Sequence, residues 1–421
     1  MKNTTPEIGE NRLSAYLDLY KSTMAQVALN KHPDAEVTFE LKNRRSTQLL
    51  SEYVSPQALQ DRLERFRGGW KPDEVAFLAT QMRKGDESSL FHEEFLSYLL
   101  ENDLPPVQVG INPETGELEV STTGAWPLVT FWETVVMAEV NEMYFKSYIA
   151  DKGLNLQDVY DEGDRRLSEK IAKLQSRPDI KFADFGTRRR FSYRWHKHVL
   201  TRLASECPDN LIGTSNIWLA NEFNLMPIGT YAHEMPMVYA TLADQLGSDP
   251  LDGHREMLID WVDEYDDNLS TALTDTFTSD YFFADFTVEQ AKHWQSLRHD
   301  SGDPVKFGEQ VIDFYKSYGI DPATKTIVFS DGLDIDTIIA LADHFAGKIN
   351  VVFGWGTSLT NDLGLPALNI VMKAVRVNGI STVKESDDAG KGMGDAETRE
   401  RYQKSIKAHI GARALQLQGA I

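Results

Sequence analysis

Residues 210–240 read NLIGTSNIWLANEFNLMPIGTYAHEMPMVYA. A short apolar run leads into Gly213-Thr214-Ser215-Asn216, and a helical pattern follows. A second run, 226–230, gives out into a turn that ends at His233-Glu234. An apolar strand, a small polar turn and then a helix is the repeating unit of a parallel α/β fold. In such folds ligands bind at strand C-termini.

The same unit recurs on either side. Strand-like runs at 181–186, 211–215, 226–230, 272–276, 296–300, 326–331, 350–356 and 368–377 alternate mostly with helical stretches. Seven or eight β-then-α units favour a closed or nearly closed α/β barrel over an open sheet. Upstream the pattern differs. Helical stretches at 13–30, 56–67, 72–81, 90–100 and 129–150 mix with an alternating run at 35–41 and a hairpin around Asn112-Pro-Glu-Thr-Gly116. The reading is an N-terminal α+β domain over 1–150 and a barrel over 151–394. A terminal helix over 395–418 is a candidate to pack back on the N-terminal domain, a choice the sequence leaves open.

The chain has 421 residues, more than one hydrophobic core usually serves. Its net charge is −21, from 64 acidic and 43 basic residues. That sign repels nucleic acid and anionic membrane surfaces, so neither is expected as a partner. An anionic ligand would need cations gathered locally against this field. The single cysteine, Cys207, fits a reducing compartment. The N-terminus lacks a secretory apolar segment and no run is long enough to span a membrane. The expectation is a cytoplasmic protein.

Glycines, hydroxyls, carboxylates and cations gather at the predicted strand ends. In order these are DFGTRRR 184–190, GTSN 213–216, His233, Thr274-Asp275-Thr276, LRHDSGDP 297–304, SDGLD 330–334 and FGWGTS 353–358. This composition suits a phosphorylated, hydroxyl-rich ligand with an aromatic part. The glycines and hydroxyls of 354–358 read as a phosphate loop or an ordinary tight turn. The arginines 188–190 read as an anion site, or as a solvated face. Arg298, Asp300 and Asp303 suit a ribose phosphate with magnesium held through waters, or a local ion-pair network. Three readings stand for His233: a structural residue, a metal ligand, or a nucleophile whose ring a carboxylate such as Asp275 orients.

Tyr20-Lys21, DFGTRRR, GTSN, AHE 232–234, LRHDSGDP, SDGLD and FGWGTSLTND 353–362, in this order and spacing, resemble nicotinate phosphoribosyltransferases of the bacterial type. The resemblance runs from about residue 13 to beyond 390. It implies an irregular α/β barrel beside an N-terminal α+β domain. It also implies transfer of phosphoribosyl from phosphoribosyl pyrophosphate to nicotinate, coupled to ATP hydrolysis and aided by Mg2+, in a homodimer with shared sites. His233 matches the histidine that ATP phosphorylates, and Asp275 the carboxylate that holds its ring. Phe185 and, from the other subunit, Tyr20 match the aromatics that sandwich the pyridine. Arg188 would meet nicotinate or a phosphate. Arg298 and Asp300 would meet the ribosyl pyrophosphate, with Asp300 reaching magnesium through water. Asp331, Gly332, Gly356 and Thr357 would hold ribose and 5′-phosphate. Lys384 and Ser386 resemble a K-x-S-D-x-x-G-K element in which Glu385 departs from the usual leucine.

Ser215 bears on the choice of pyridine. Nicotinamide-using relatives usually carry aspartate there, which accepts from an amide and repels a carboxylate. A serine can donate to nicotinate, so the acid is expected over the amide, and Ser215→Asp is expected to lose nicotinate turnover. Nicotinamide phosphoribosyl transfer and a non-catalytic nucleotide-binding barrel are the alternative readings.

Overall fold

A computed structural model describes residues 8–44, 48–85 and 88–419. Its strands are β1 (Glu36–Asn43), β2 (Val107–Ile111), β3 (Leu118–Ala125), β4 (Phe182–Asp184), β5 (Leu211–Thr214), β6 (Thr271–Leu273), β7 (Ser296–His299), β8 (Thr326–Phe329), β9 (Asn350–Trp355), β10 (Ile370–Val377) and β11 (Ile380–Ser381). The chain forms two compact units. One comprises Met1–Gly229, Leu333–Ile335 and Gly354–Lys373; the other comprises Thr230–Gly332, Asp336–Phe353 and Ala374–Ile421.

In the first unit, β3 pairs antiparallel with β1 and with β2, with Phe39 facing Thr122 and Val109 facing Val120. Strands β4 and β5 pair in parallel, and Asp184 lies opposite Thr214. The helix Trp132–Asp151 is buried on nearly every face, through Trp132, Val135, Val136, Val140, Tyr144 and Phe145. Phe145 packs on Phe191 and Tyr160 on Trp195. The pattern change expected at about 150 accompanies a change of sheet type, from antiparallel to parallel pairing. Residues on both sides of the expected boundary at 150 bury the same aromatic cluster.

In the second unit, β6, β7, β8 and β9 form consecutive parallel pairs, in register from Thr271–Ser296 to Phe329–Phe353. The intervening helices start where local chemistry directs. Asp303 accepts from the backbone of Val305 and Lys306 ahead of Pro304–Ser317, which has proline in its first turn. The terminal helix Ala396–Gly419 buries Tyr402 and Ile406 against Leu251, Phe277, Tyr281 and Val383 of this same unit.

Two expected strands differ. Residues 226–230 make only a single parallel bridge, Pro227 to Thr214. Proline has no backbone N–H to extend a ladder. Gly229 lies so close to the backbone of Tyr20 that a Cβ would sit 2.8 Å from its nitrogen. The run 368–377 becomes β10, which turns back antiparallel on β11 instead of joining the parallel strands. The α/β class with a parallel sheet holds. No described helix is long and apolar enough to cross a membrane.

Candidate active site

In the second unit the C-terminal ends of β6, β7 and β8 deliver Asp275, Arg298, Asp300 and Ser330 to one place. His233 joins them just ahead of the helix Glu234–Gln245, and Lys384 from the segment beyond β11. His233 is 5 % exposed, Asp275 1 % and Lys384 4 %, so this is a charged cluster largely out of water.

The imidazole is held from both nitrogens. Nδ1 lies 2.9 Å from the Thr276 hydroxyl. Nε2 lies 2.8 Å from Lys384 Nζ and 3.1 Å from Asp300 Oδ2. Asp275 Oδ1 is 3.6 Å from Nε2, at ion-pair but not hydrogen-bond distance. The ring's hydrogen-bond partners are thus Thr276, Lys384 and Asp300, with Asp275 beside them. Burial, reinforced by the Lys384 charge, lowers the His233 pKa to about 4 against the pull of both carboxylates. The ring is neutral near pH 7 and keeps a lone pair for chemistry.

Both carboxylates are acidic in spite of burial. Desolvation works to raise Asp300, but Arg298 and the neighbouring cations carry it well below the carboxylate range. Asp275 is likewise lowered, its burial outweighed by His233 and Lys384. Arg298 donates to Asp300 at 2.8 Å and to Ser330 at 2.8 Å, and Ser330 donates to Asp300 at 2.9 Å. Ser301 donates to Asp275 Oδ2 at 2.6 Å. Ser386, held at a φ of 141°, hydrogen-bonds Ser301 at 2.9 Å. Asp275 Oδ1 is buried without a hydrogen-bond partner among the described residues. His233, Asp275 and Asp300 each offer an atom to a common point. An orphaned carboxylate oxygen beside a second carboxylate fits a hard cation such as magnesium.

Asp331 accepts from Lys391 at 2.6 Å, and Gly332 follows at a φ of 63°. Glu385 clasps Arg399 of the terminal helix through both oxygens, at 3.0 and 2.8 Å. The residue that departs from leucine therefore anchors the segment carrying Lys384.

The first unit gathers the remaining expected residues. Asp184, at the end of β4, accepts from the Gly186 backbone at 2.9 Å, from Thr214 at 2.6 Å, and meets His196 Nε2 at 2.7 Å. One buried carboxylate thus ties together the loops that carry Phe185 and Ser215. The Phe185 ring lies over Gly354, where a Cβ would come within 2.4 Å of it. Gly356 runs beside the Phe185 carbonyl, ahead of the short helix Thr357–Thr360.

The three arginines of 188–190 do not act together. Arg188 pairs with Glu133 at 3.2 Å, and Arg189 donates to the Ile370 carbonyl at 3.0 Å. Arg190 is buried between the rings of Tyr16 and Tyr193 and donates to the Ala15 carbonyl. Along the 3-10 turn Thr187–Arg189 and the residue that follows it, the three side chains thus go to separate partners. Lys21 binds the other Glu133 oxygen at 2.6 Å. Burial opposes ionisation of Glu133, yet Lys21, Arg188 and Lys373 bring its pKa down to about 2.

Ser215 is 3 % exposed and donates to Asp18 at 2.6 Å. The Leu19 backbone donates to the Ser215 carbonyl at 2.7 Å. The start of the helix Leu19–Lys31, with Tyr20, thus lies against the GTSN loop of its own chain.

Thr276, Ser301, Ser330, Asp18 and Glu133 carry no individual role in the sequence reading. Hydroxyls are too common to signal a site. Asp18 and Glu133 lie far along the chain from the loops they serve.

Residues 180–409 match the nicotinate phosphoribosyltransferase (NAPRTase) family, and residues 16–141 match its N-terminal domain. A nicotinate phosphoribosyltransferase of Chromobacterium violaceum is 38 % identical over 401 residues, covering 92 % of this chain and 95 % of that protein. One from Xanthomonas euvesicatoria pv. vesicatoria is 36 % identical over 397 residues, with the same coverage. The crystal structure of the Vibrio cholerae enzyme superposes with a TM-score of 0.82 at 31 % identity, covering 99 % of this chain and 98 % of that one. That of the Porphyromonas gingivalis enzyme gives 0.82 at 29 %, covering 94 % and 99 %.

Proposed function

The chain belongs to the nicotinate phosphoribosyltransferase family, and from that membership we propose that it couples phosphoribosyl transfer to ATP through a phosphorylated His233. The overall reaction joins nicotinate to the anomeric carbon of phosphoribosyl pyrophosphate and releases pyrophosphate. The observation that carries the coupling is His233 itself. It is buried and neutral, and it sits within reach of one lysine and two carboxylates.

Neutral imidazole attacks a γ-phosphate, and ADP leaves. Lys384 and Arg298 supply positive charge where the phosphoryl group lands, and Thr276 keeps the ring oriented. Asp275 and Asp300 would hold magnesium through waters, and the ion would neutralise phosphate charge when bound. Asp331, Gly332, Gly356 and Thr357 serve ribose and 5′-phosphate. Phe185 and Tyr20 serve the flat ring. Arg188, with Lys21 and Glu133, serves an anionic group. Coupling then requires phosphoenzyme and free enzyme to prefer substrates and products differently. The family resemblance supports a cytoplasmic homodimer and a place in NAD salvage.

Pyrophosphate release measured with nicotinate or nicotinamide, with and without ATP, tests this reading. ATP is expected to stimulate release with nicotinate, and nicotinamide to give little. Equal rates with both pyridines and no response to ATP would overturn it.

A further inference from the structure

The Asp18–Ser215 hydrogen bond raises a difficulty for carboxylate recognition. A serine hydroxyl has one proton to give. Here it goes to Asp18 at 2.6 Å, and both residues are 3 % exposed. With its proton on Asp18, Ser215 Oγ has only lone pairs left to offer a ligand, next to a buried carboxylate. That arrangement accepts from an amide N–H and repels a carboxylate.

One proton reverses it. If Asp18 is neutral, its O–H donates to Ser215 Oγ, and the serine proton turns outward. We propose that the site takes up one proton with nicotinate, held by Asp18, so that the relay Asp18–Ser215 presents a donor to the ligand carboxylate. The proton comes from solvent and no covalent bond changes. This inference rests on the reading that nicotinate is the pyridine and that its carboxylate meets Ser215.

The surroundings suit the exchange. Burial pushes the Asp18 carboxyl above its ordinary value, with Asp184 adding to the rise. Hydrogen bonds from Ser215 and Thr187 and the Arg188 charge act the other way. The neighbouring charges are themselves committed. Asp184 pairs with His196, and Arg188 pairs with Glu133, which also holds Lys21. An anionic ligand arriving beside Asp18 adds a like charge and favours its neutral form further.

Calorimetric titration of the full-length protein with nicotinate, in buffers of different ionisation enthalpy, counts the protons taken up. The expected result is close to one proton per nicotinate, with affinity falling about tenfold per pH unit once free Asp18 is ionised. Nicotinamide, which can donate to Ser215 directly, is expected to bind without proton uptake. Asp18→Asn, whose amide donates to Ser215 permanently, should bind nicotinate with the pH dependence abolished. Ser215→Ala should weaken nicotinate and lose the proton as well. Tight nicotinate binding to the wild-type protein with no proton uptake would overturn the relay and leave the nicotinate reading intact. Failure of the wild-type protein to bind nicotinate at all would overturn both.

Discussion

At the scale of the residue, Glu133 sets the charge of the cationic patch in the first unit. Lys21 and Arg188 each take one of its oxygens, and its pKa falls from 4.5 to about 2. The sign follows from linkage. A carboxyl more acidic when folded stabilises above its unfolded pKa and loses that contribution as pH falls toward the folded one. The contribution is fully present above about pH 4.5, is worth about 3 kcal/mol there, and disappears toward about pH 2. Glu133→Gln should therefore lower stability by up to that amount at pH 7. The gap from wild type should narrow as pH falls below 4. Denaturant titrations of both proteins at pH 7 and pH 3 check this; a gap independent of pH contradicts it. The same residue illustrates what the sequence hides. Nothing local distinguishes Glu133 from its neighbours in the helix, and only the fold brings Lys21 and Arg188 to it. Likewise Ser215 is legible as a candidate selector, but its partner Asp18 is 197 residues away.

At the scale of the element, the strand ends are readable because apolar runs stop at glycine, hydroxyl or carboxylate. The ends of β6 and β7 bring Asp275 and Asp300 to His233, and Ser330 after β8 joins them through Asp300. Residues 226–230 misled because the period of an apolar run cannot report a missing proline N–H or a close backbone approach. Two elements carry specific tests. Gly354 in β9 admits the Phe185 ring only because it lacks a Cβ. Gly354→Ala should displace that ring, cost about 1–3 kcal/mol through overpacking, and raise KM for nicotinate more than for phosphoribosyl pyrophosphate. Unchanged kinetics and melting would show that Phe185 has room to spare. The Glu385–Arg399 clasp ties the Lys384 segment to the terminal helix. Arg399→Ala leaves the Glu385 carboxylate, only 8 % exposed, short of its partner and should cost about 2 kcal/mol. Because Lys384 touches His233, ATPase activity should fall more than nicotinate affinity. Equal loss of both would mean that the clasp is purely structural.

At the scale of the whole molecule, the net charge of −21 and the two cationic clusters belong to one description. Lys384, Arg298 and Lys391 gather in the second unit, and Lys21, Arg188 and Lys373 in the first. In acidic surroundings these clusters are where an anionic ligand would be drawn. The α/β class follows from the alternation of strand and helix. Periodicity reports which face of an element is apolar, but not which other element covers it. The terminal helix shows this most plainly, since the helix is legible in the sequence and the burial of Tyr402 and Ile406 against Phe277, Tyr281 and Val383 is not. On the proposed coupling, His233 carries phosphate from ATP. Incubation with ATP labelled in the γ-phosphate, followed by alkaline quench and peptide mapping, tests this. An acid-labile label is expected on the peptide containing His233. In His233→Ala that label and the ATPase should be lost, with some uncoupled nicotinate transfer surviving. Label retained by His233→Ala, or a wild-type protein that hydrolyses ATP during transfer without ever carrying label, would contradict it.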